Sequence, residues 1–172
     1  VRIGLWRPAG KGLGRARGRC AFAALAFSTK EDRMEAAAIV LAAGAGTRMK
    51  SKKPKVAHEV LGKPLVRWVV DAAHAAGVTQ VATVVGHARE RVIPLVEGDT
   101  QVVVQEVQNG TAGAVLACAD AFAGFDGSLS VLTGDCPLIK PETIARLAQV
   151  RDENNAAVVV LTMKLDDPTG YG

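Results

Sequence analysis

The stretch AAAIVLAAGAGTRM, residues 36–49, decides how the rest of the chain is read. Apolar and mostly small residues run unbroken from Ala36 to Ala43, and Gly44 and Gly46 then open a loop. An unbroken apolar run bounded by glycine reads as a strand buried on both faces, the kind that parallel sheets contain. The glycines free the loop backbone, so that its N–H groups can turn toward an anion. Five basic residues follow between Arg48 and Lys55. The loop is therefore expected to hold a phosphate-bearing ligand.

Downstream, the chain alternates strand and helix. PLVRWVVDAAHAAG (64–77) has helical apolar spacing, with Pro64 near its start and Gly77 at its end. QVATVVG (80–86) is a strand, and RERVIPLVEG (89–98) a short helix that Pro94 distorts or delays. TQVVVQ (100–105) is a strand, TAGAVLACADAFAG (111–124) an Ala-rich helix, and SLSVLTGD (128–135) a strand. PETIARLAQVRDENN (141–155) is a helix and AAVVVLTMKL (156–165) a further strand. This pattern predicts an α/β fold, a Rossmann-like and mostly parallel sheet with helices on both faces. Such sheets bind ligands at the carboxyl ends of their strands.

Composition narrows the function classes. The net charge of +4 misleads, because residues 1–33 carry eight Lys/Arg against Glu31 and Asp32. The remainder has thirteen basic and fifteen acidic residues and is slightly acidic. Nucleic-acid binding needs a basic face on the folded part, so no nucleic-acid partner is expected. No apolar run reaches the length of a membrane span, and no membrane role is expected. Cys20, Cys118 and Cys136 form no C-x-x-C pair, which fits a reducing cytoplasm rather than a disulfide framework or zinc site. Residues 1–33 are rich in Gly and Arg and lack periodicity, so they are expected to be disordered. Their basic stretch followed by CAFAALAF is faintly similar to a secretion signal. The simpler expectation is a domain that begins at Met34, behind a leader that is not native to it.

The loop fits neither of two familiar phosphate-binding patterns. G-x-G-x-x-G needs glycine where Met49 stands, and no G-x-x-x-x-G-K-[ST] occurs. What remains is G-x-G-T-R-M followed by P-K. Arg48 offers a forked, permanently charged donor set for phosphate oxygens. Lys55 follows Pro54, which stiffens the chain ahead of it. Lys50, Lys52 and Lys53 read as a solvated, mobile stretch. A plain strand-to-helix turn with surface charges is the alternative reading of the loop.

LAAGAGTRM with KPKV (53–56) resembles the nucleotide-binding signature of sugar-nucleotide pyrophosphorylases. QNGTAGA (108–114), TGDCPL (133–138) and LDDPTGYG (165–172) follow in order. Together they resemble the uridyltransferase domain of the bacterial bifunctional N-acetylglucosamine-1-phosphate uridyltransferase/glucosamine-1-phosphate acetyltransferase family. The resemblance covers 36–172 and implies the nucleotide-diphospho-sugar transferase type of fold. It also implies attack of N-acetylglucosamine-1-phosphate on UTP, with release of pyrophosphate, in cytoplasmic cell-wall precursor synthesis.

By that resemblance Arg48 and Lys55 are catalytic and meet the phosphates. Leu41, Ala42, Ala43, Gly44, Gln105, Gly110, Thr111 and Gly134 contact the nucleotide, Gly170 meets the sugar, and Asp135 binds Mg2+. Gln108 reads equally as a contact or a solvent-facing residue. Thr133 stands where the family often carries Tyr, and Cys136 where Val is usual. The resemblance further implies that 34–172 is the N-terminal part of its domain. A second metal ligand and the trimer-forming acetyltransferase domain are expected beyond it, and a fragment of this kind is expected to turn over poorly. His58, His87 and Trp68 read as structural, Trp68 as a core residue. Two rivals stay open: a nucleotidyltransferase for another sugar or polyol phosphate, and a module that binds nucleotide without turnover.

Overall fold

Strand β2 (Ala36–Ala42) lies inside a four-stranded sheet of order β6-β5-β2-β7. The computed structural model describes residues 35–44, 46, 49–162 and 166–167, and the backbone of β1 (Arg2–Trp6). Strands β5 (Gln80–Val85), β6 (Gln101–Val104) and β7 (Ser128–Thr133) all pair in parallel, as the unbroken apolar runs predict. The chain steps outward from β2 to β5 and β6, then returns to place β7 on the other side of β2. The loops after β2 and β7 therefore diverge, and a crevice opens at the carboxyl ends of these strands.

Alternation along β2 sends side chains to both faces of the sheet. Ala38, Val40 and Ala42 join one apolar cluster with Val66, Val69, Val70 and Ala73 of α1 (Leu65–Ala75). Val96 of α2 (Ile93–Val96) and Ile144 of α4 (Pro141–Glu153) complete that face. Ile39 joins a smaller cluster with Ala82, Val84, and Ala114 of α3 (Thr111–Leu116), together with Cys118. Burial there pushes the Cys118 thiol up, so it packs as a neutral group. Ala37 and Ala38 are fully buried, and such small side chains let helices approach the central strand closely.

Helix α1 starts where Pro64, with φ −57° and ψ 143°, directs the chain into it. It ends at Gly77, whose φ of 87° suits the left-handed residue after a helix. Just before α1, β3 (Glu59–Val60) and β4 (Lys63–Pro64) form a small hairpin. Leu61 and Gly62 at its tip both have positive φ, as a tight hairpin turn requires. Trp68 is not a core residue as expected. It is half-buried beneath this hairpin, its Nε1 donates to the Val60 carbonyl at 3.2 Å, and Lys63 Nζ lies 4.2 Å above its ring. Next to Trp68 on α1, Arg67 hydrogen-bonds Asp99 and holds its carboxyl below the ordinary range.

The short helix over 89–98 that Pro94 is expected to distort or delay is a 3-10 turn (Arg89–Arg91) followed by the late single turn of α2, which carries Pro94 in its first turn. Two further sequence expectations change. The Ala-rich helix stops at Leu116. The Cys118 and Ala119 N–H groups reach back only three residues, to Val115 and Leu116, which tightens the chain toward a 3-10 turn at Asp120–Phe122. Strand β8 (Val158–Thr162) does not extend the parallel sheet. It pairs antiparallel with β1, so Arg2–Trp6 is a strand where disorder was expected. The rest of 1–34 lies outside the described residues.

Candidate active site

The loops at the carboxyl ends of β2, β6 and β7 enclose a cleft of about 550 Å³. Its walls include Leu41, Ala43, Gly44, Gly46 and Lys55 on one side and Gln105, Gln108, Gly110 and Thr111 on another, with Thr133 and Asp135 completing it.

Close backbone approach builds the first wall. A side-chain carbon on Gly86 would stand 3.0 Å from Ala43 Cβ and 3.1 Å from its carbonyl, so glycine at 86 lets the loops after β2 and β5 pack without crowding. The Ala43 carbonyl accepts from His87 N at 3.2 Å. Gly46 adopts φ +61°, and a side-chain carbon there would meet Lys55 Cβ at 2.8 Å. Gly46 thus lies directly against Lys55. Pro54, fully buried, leads into the short 3-10 turn that begins at Lys55.

Lys55 Nζ lies 2.6 Å from Asp135 Oδ2, although 80 residues separate them. Both side chains stay partly open to solvent, at 44% and 31%. Asp135 is brought there by Gly134, whose N–H donates to the Leu41 carbonyl at 2.9 Å. A side-chain carbon on Gly134 would stand 2.8 Å from that oxygen. Gly134 is therefore buried against β2 and does not line the cleft, and Ala42 belongs to the core.

On the opposite wall Gln105 is only 6% exposed. Its N–H continues the ladder to the Val85 carbonyl at 2.8 Å. Its Nε2 donates to Asn109 Oδ1 at 3.0 Å and to the Gly110 carbonyl at 3.2 Å. Gly110, with φ +94°, turns the chain into α3.

The structure brings Leu41, Ala43, Gly44, Lys55, Gln105, Gly110, Thr111 and Asp135 to one cleft. It adds Gln108, Gly46, Met49, Val56, Ala114 and Thr133. Of these, Gly46 and Met49 stood inside the loop motif, whereas Val56 and Ala114 carry no polar signal in the sequence. Thr133 Oγ1 donates to Cys136 Sγ at 3.0 Å, so this hydroxyl is turned toward its own loop. Arg48 and Gly170 lie outside the described residues. The lysine stretch is exposed as expected but tied down: Lys53 pairs with Glu59 at 3.1 Å, and the Lys52 carbonyl accepts from Arg91 at 2.8 Å. His58 Nε2 donates to the Lys53 carbonyl at 3.2 Å.

A parallel sheet with a glycine loop, a lysine and a carboxylate converging at its switch point makes a cleft suited to a phosphate-bearing ligand. The chain belongs to the MobA-like NTP transferase domain family, which it matches over residues 38–169. It is 48% identical over 139 residues to the bifunctional protein GlmU of Pelotomaculum thermopropionicum, and 46% over 138 residues to that of Caldanaerobacter subterraneus. These matches cover 81% and 80% of the chain, which spans about 30% of the length of either relative. Among solved structures, a nucleotidyl transferase from Methanothermobacter thermautotrophicus superposes with a TM-score of 0.58 and 27% identity, over 67% of this chain and 57% of that one. Rv0371c from Mycobacterium tuberculosis in complex with manganese gives 0.55 and 26%, over 67% and 59%. Among the described residues, no helix is long and apolar enough to cross a membrane.

Proposed function

We propose that the cleft binds UTP and that the domain directs its uridylyl group to a sugar-1-phosphate, N-acetylglucosamine-1-phosphate, with release of pyrophosphate. The observation that carries this reading is the meeting of Lys55 and Asp135 beside Gly46, in the same cleft as the buried side chain of Gln105. The similarity to bifunctional GlmU proteins supports the choice of substrates.

Both reactants are anions, so their repulsion must be screened before a phosphate oxygen of the sugar reaches the α-phosphorus. A new P–O bond forms as the bond to the β-phosphate breaks, and pyrophosphate leaves with the electron pair. No protein nucleophile is needed, and positioning with charge neutralisation carries the catalysis. Lys55 binds phosphate oxygens. The Gly44–Gly46 backbone sets how closely the phosphates approach.

Asp135 is the residue that would hold a divalent cation, with magnesium the first candidate. Its carboxylate opens into the cleft beside a cationic partner, and the described residues contain no cluster of three or more metal-binding side chains. One carboxylate suits magnesium, which keeps waters and takes phosphate oxygens as its other ligands. When bound, the cation would spread the charge that builds on the phosphates. The rest of the proposed setting follows the same resemblance: cytoplasmic synthesis of a cell-wall precursor, in a trimer-forming bifunctional protein.

The test is base and acceptor profiling. UTP is expected to bind more tightly than CTP by roughly 1–3 kcal/mol, about five- to 150-fold, because cytosine leaves a buried partner group unpaired. Calorimetry of both nucleotides with magnesium reads this directly. Equal affinities would remove the uridine assignment, and pyrophosphate release with a different sugar or polyol phosphate would move the acceptor.

A further inference from the structure

We infer that Asn109 is a specificity-determining residue: it locks the Gln105 amide with its oxygen as the sole free group, so that the cleft selects a pyrimidine carrying an N3–H donor. The inference rests on the uridine reading and explains how that site tells uracil from cytosine.

A backbone carbonyl only accepts hydrogen bonds. The Gln105 atom 3.2 Å from the Gly110 carbonyl is therefore the amide nitrogen. The Asn109 atom 3.0 Å from that nitrogen must accept as well, so it is Oδ1. Both amide protons of Gln105 are then spent inside the protein. Its Oε1 has no hydrogen bond among the described residues, and Gln105 lines the cleft. The side chain is 6% exposed, so it cannot turn over freely in water. A fixed acceptor matches the N3–H of uracil and opposes the N3 lone pair of cytosine.

Gly113 gives independent support. Glycine is a poor helix former, yet it sits inside α3 and is not among the glycines with positive φ. What it provides is space. A side-chain carbon on residue 113 would stand 1.6 Å from Asn109 Oδ1 and 2.4 Å from its Cγ. The Asn109 amide occupies the room this glycine leaves, and Asn109 N donates to the Val107 carbonyl at 2.9 Å, which holds the loop in place. Asn109 and Gly113 thus act as one device for orienting Gln105.

The experiment measures the ratio of UTP to CTP affinity by calorimetry, with magnesium present, for the full chain, three single variants and one double variant. Asn109→Leu is expected to lower the ratio roughly three- to tenfold, the worth of one orienting hydrogen bond. Asn109→Asp keeps an acceptor facing Nε2 and is expected to retain the ratio. Gly113→Ala improves helix propensity, so it folds, yet displaces the Asn109 amide and is expected to lower the ratio as Asn109→Leu does. Combining Asn109→Leu with Gly113→Ala should add little, because both break one contact. An unchanged ratio in Asn109→Leu and Gly113→Ala, with the parent chain still preferring UTP, overturns this inference and leaves the uridine reading intact. A parent chain that does not distinguish UTP from CTP overturns the uridine reading itself.

Discussion

Lys55→Met is expected to weaken UTP binding by about one to two orders of magnitude and, at the same time, to strengthen divalent-cation binding in the absence of nucleotide. The two effects have opposite signs because Lys55 has two possible anionic partners. Without nucleotide its ammonium rests 2.6 Å from the Asp135 carboxylate. A cation must displace that ammonium to reach the carboxylate, and the displaced ammonium becomes available for phosphate. Methionine preserves length and apolar bulk but removes the charge. Hydrogen bonds to charged groups contribute roughly 1.5–3 kcal/mol, which sets the expected loss for the nucleotide.

Folding should barely change. Both side chains are about a third or more exposed, and ion pairs of that kind contribute about 0–1 kcal/mol. Calorimetric titration with Mn2+ alone, and then with UTP, reads both signs, while a thermal melt monitors stability. Asp135→Asn should abolish the metal gain, and the double variant should be no worse in UTP binding than the sum of the singles. Unchanged metal affinity in Lys55→Met would show that the pair does not compete with a cation. A large loss of thermal stability would make the pair structural.

The second large effect is expected at Arg48. Its role rests on chemistry and resemblance, since the residue lies outside the described part of the structure. Its sequence neighbours Gly46 and Met49 both line the cleft, and the Met49 N–H closes a turn on the Gly46 carbonyl at 2.9 Å. Arg48→Ala is expected to slow pyrophosphate release by about 10²–10³, the usual cost of losing one donor aimed at developing charge. UTP affinity should fall much less, because a contact that strengthens in the transition state raises turnover more than binding. Single-turnover measurement with saturating UTP separates the two quantities. Near-parental release would remove Arg48 from the chemistry, and an equal fall in affinity and rate would make it a uniform binding residue.

How much of this was legible in the sequence follows from the range of each interaction. The runs at 36–43 and 80–86 announced buried parallel strands, because a strand covered on both faces is apolar at nearly every position, whereas β7 mixes Ser130 and Thr133 with apolar residues and stays partly exposed. Helix α1 was legible from its spacing and its Pro and Gly boundaries, which are local backbone effects. The glycine loop and its basic flank marked one wall of the cleft, since unusual backbone freedom and clustered charge both show in composition.

Tertiary structure alone decided what crosses the chain. Nothing local says that Lys55 meets Asp135, since that contact depends on β7 returning beside β2 and on Gly134 pressing against the Leu41 carbonyl. Trp68 looked like core from its helix, but the β3–β4 hairpin binds its indole nitrogen, because a polar N–H needs a partner. The pattern of β8 was that of any buried strand, and only strand pairing placed it against β1. Gln105 was legible as a polar residue at a strand end. Which of its two amide atoms faces the cleft was settled by a carbonyl five residues away and by space beside Gly113, and such directional contacts leave no periodicity in a sequence.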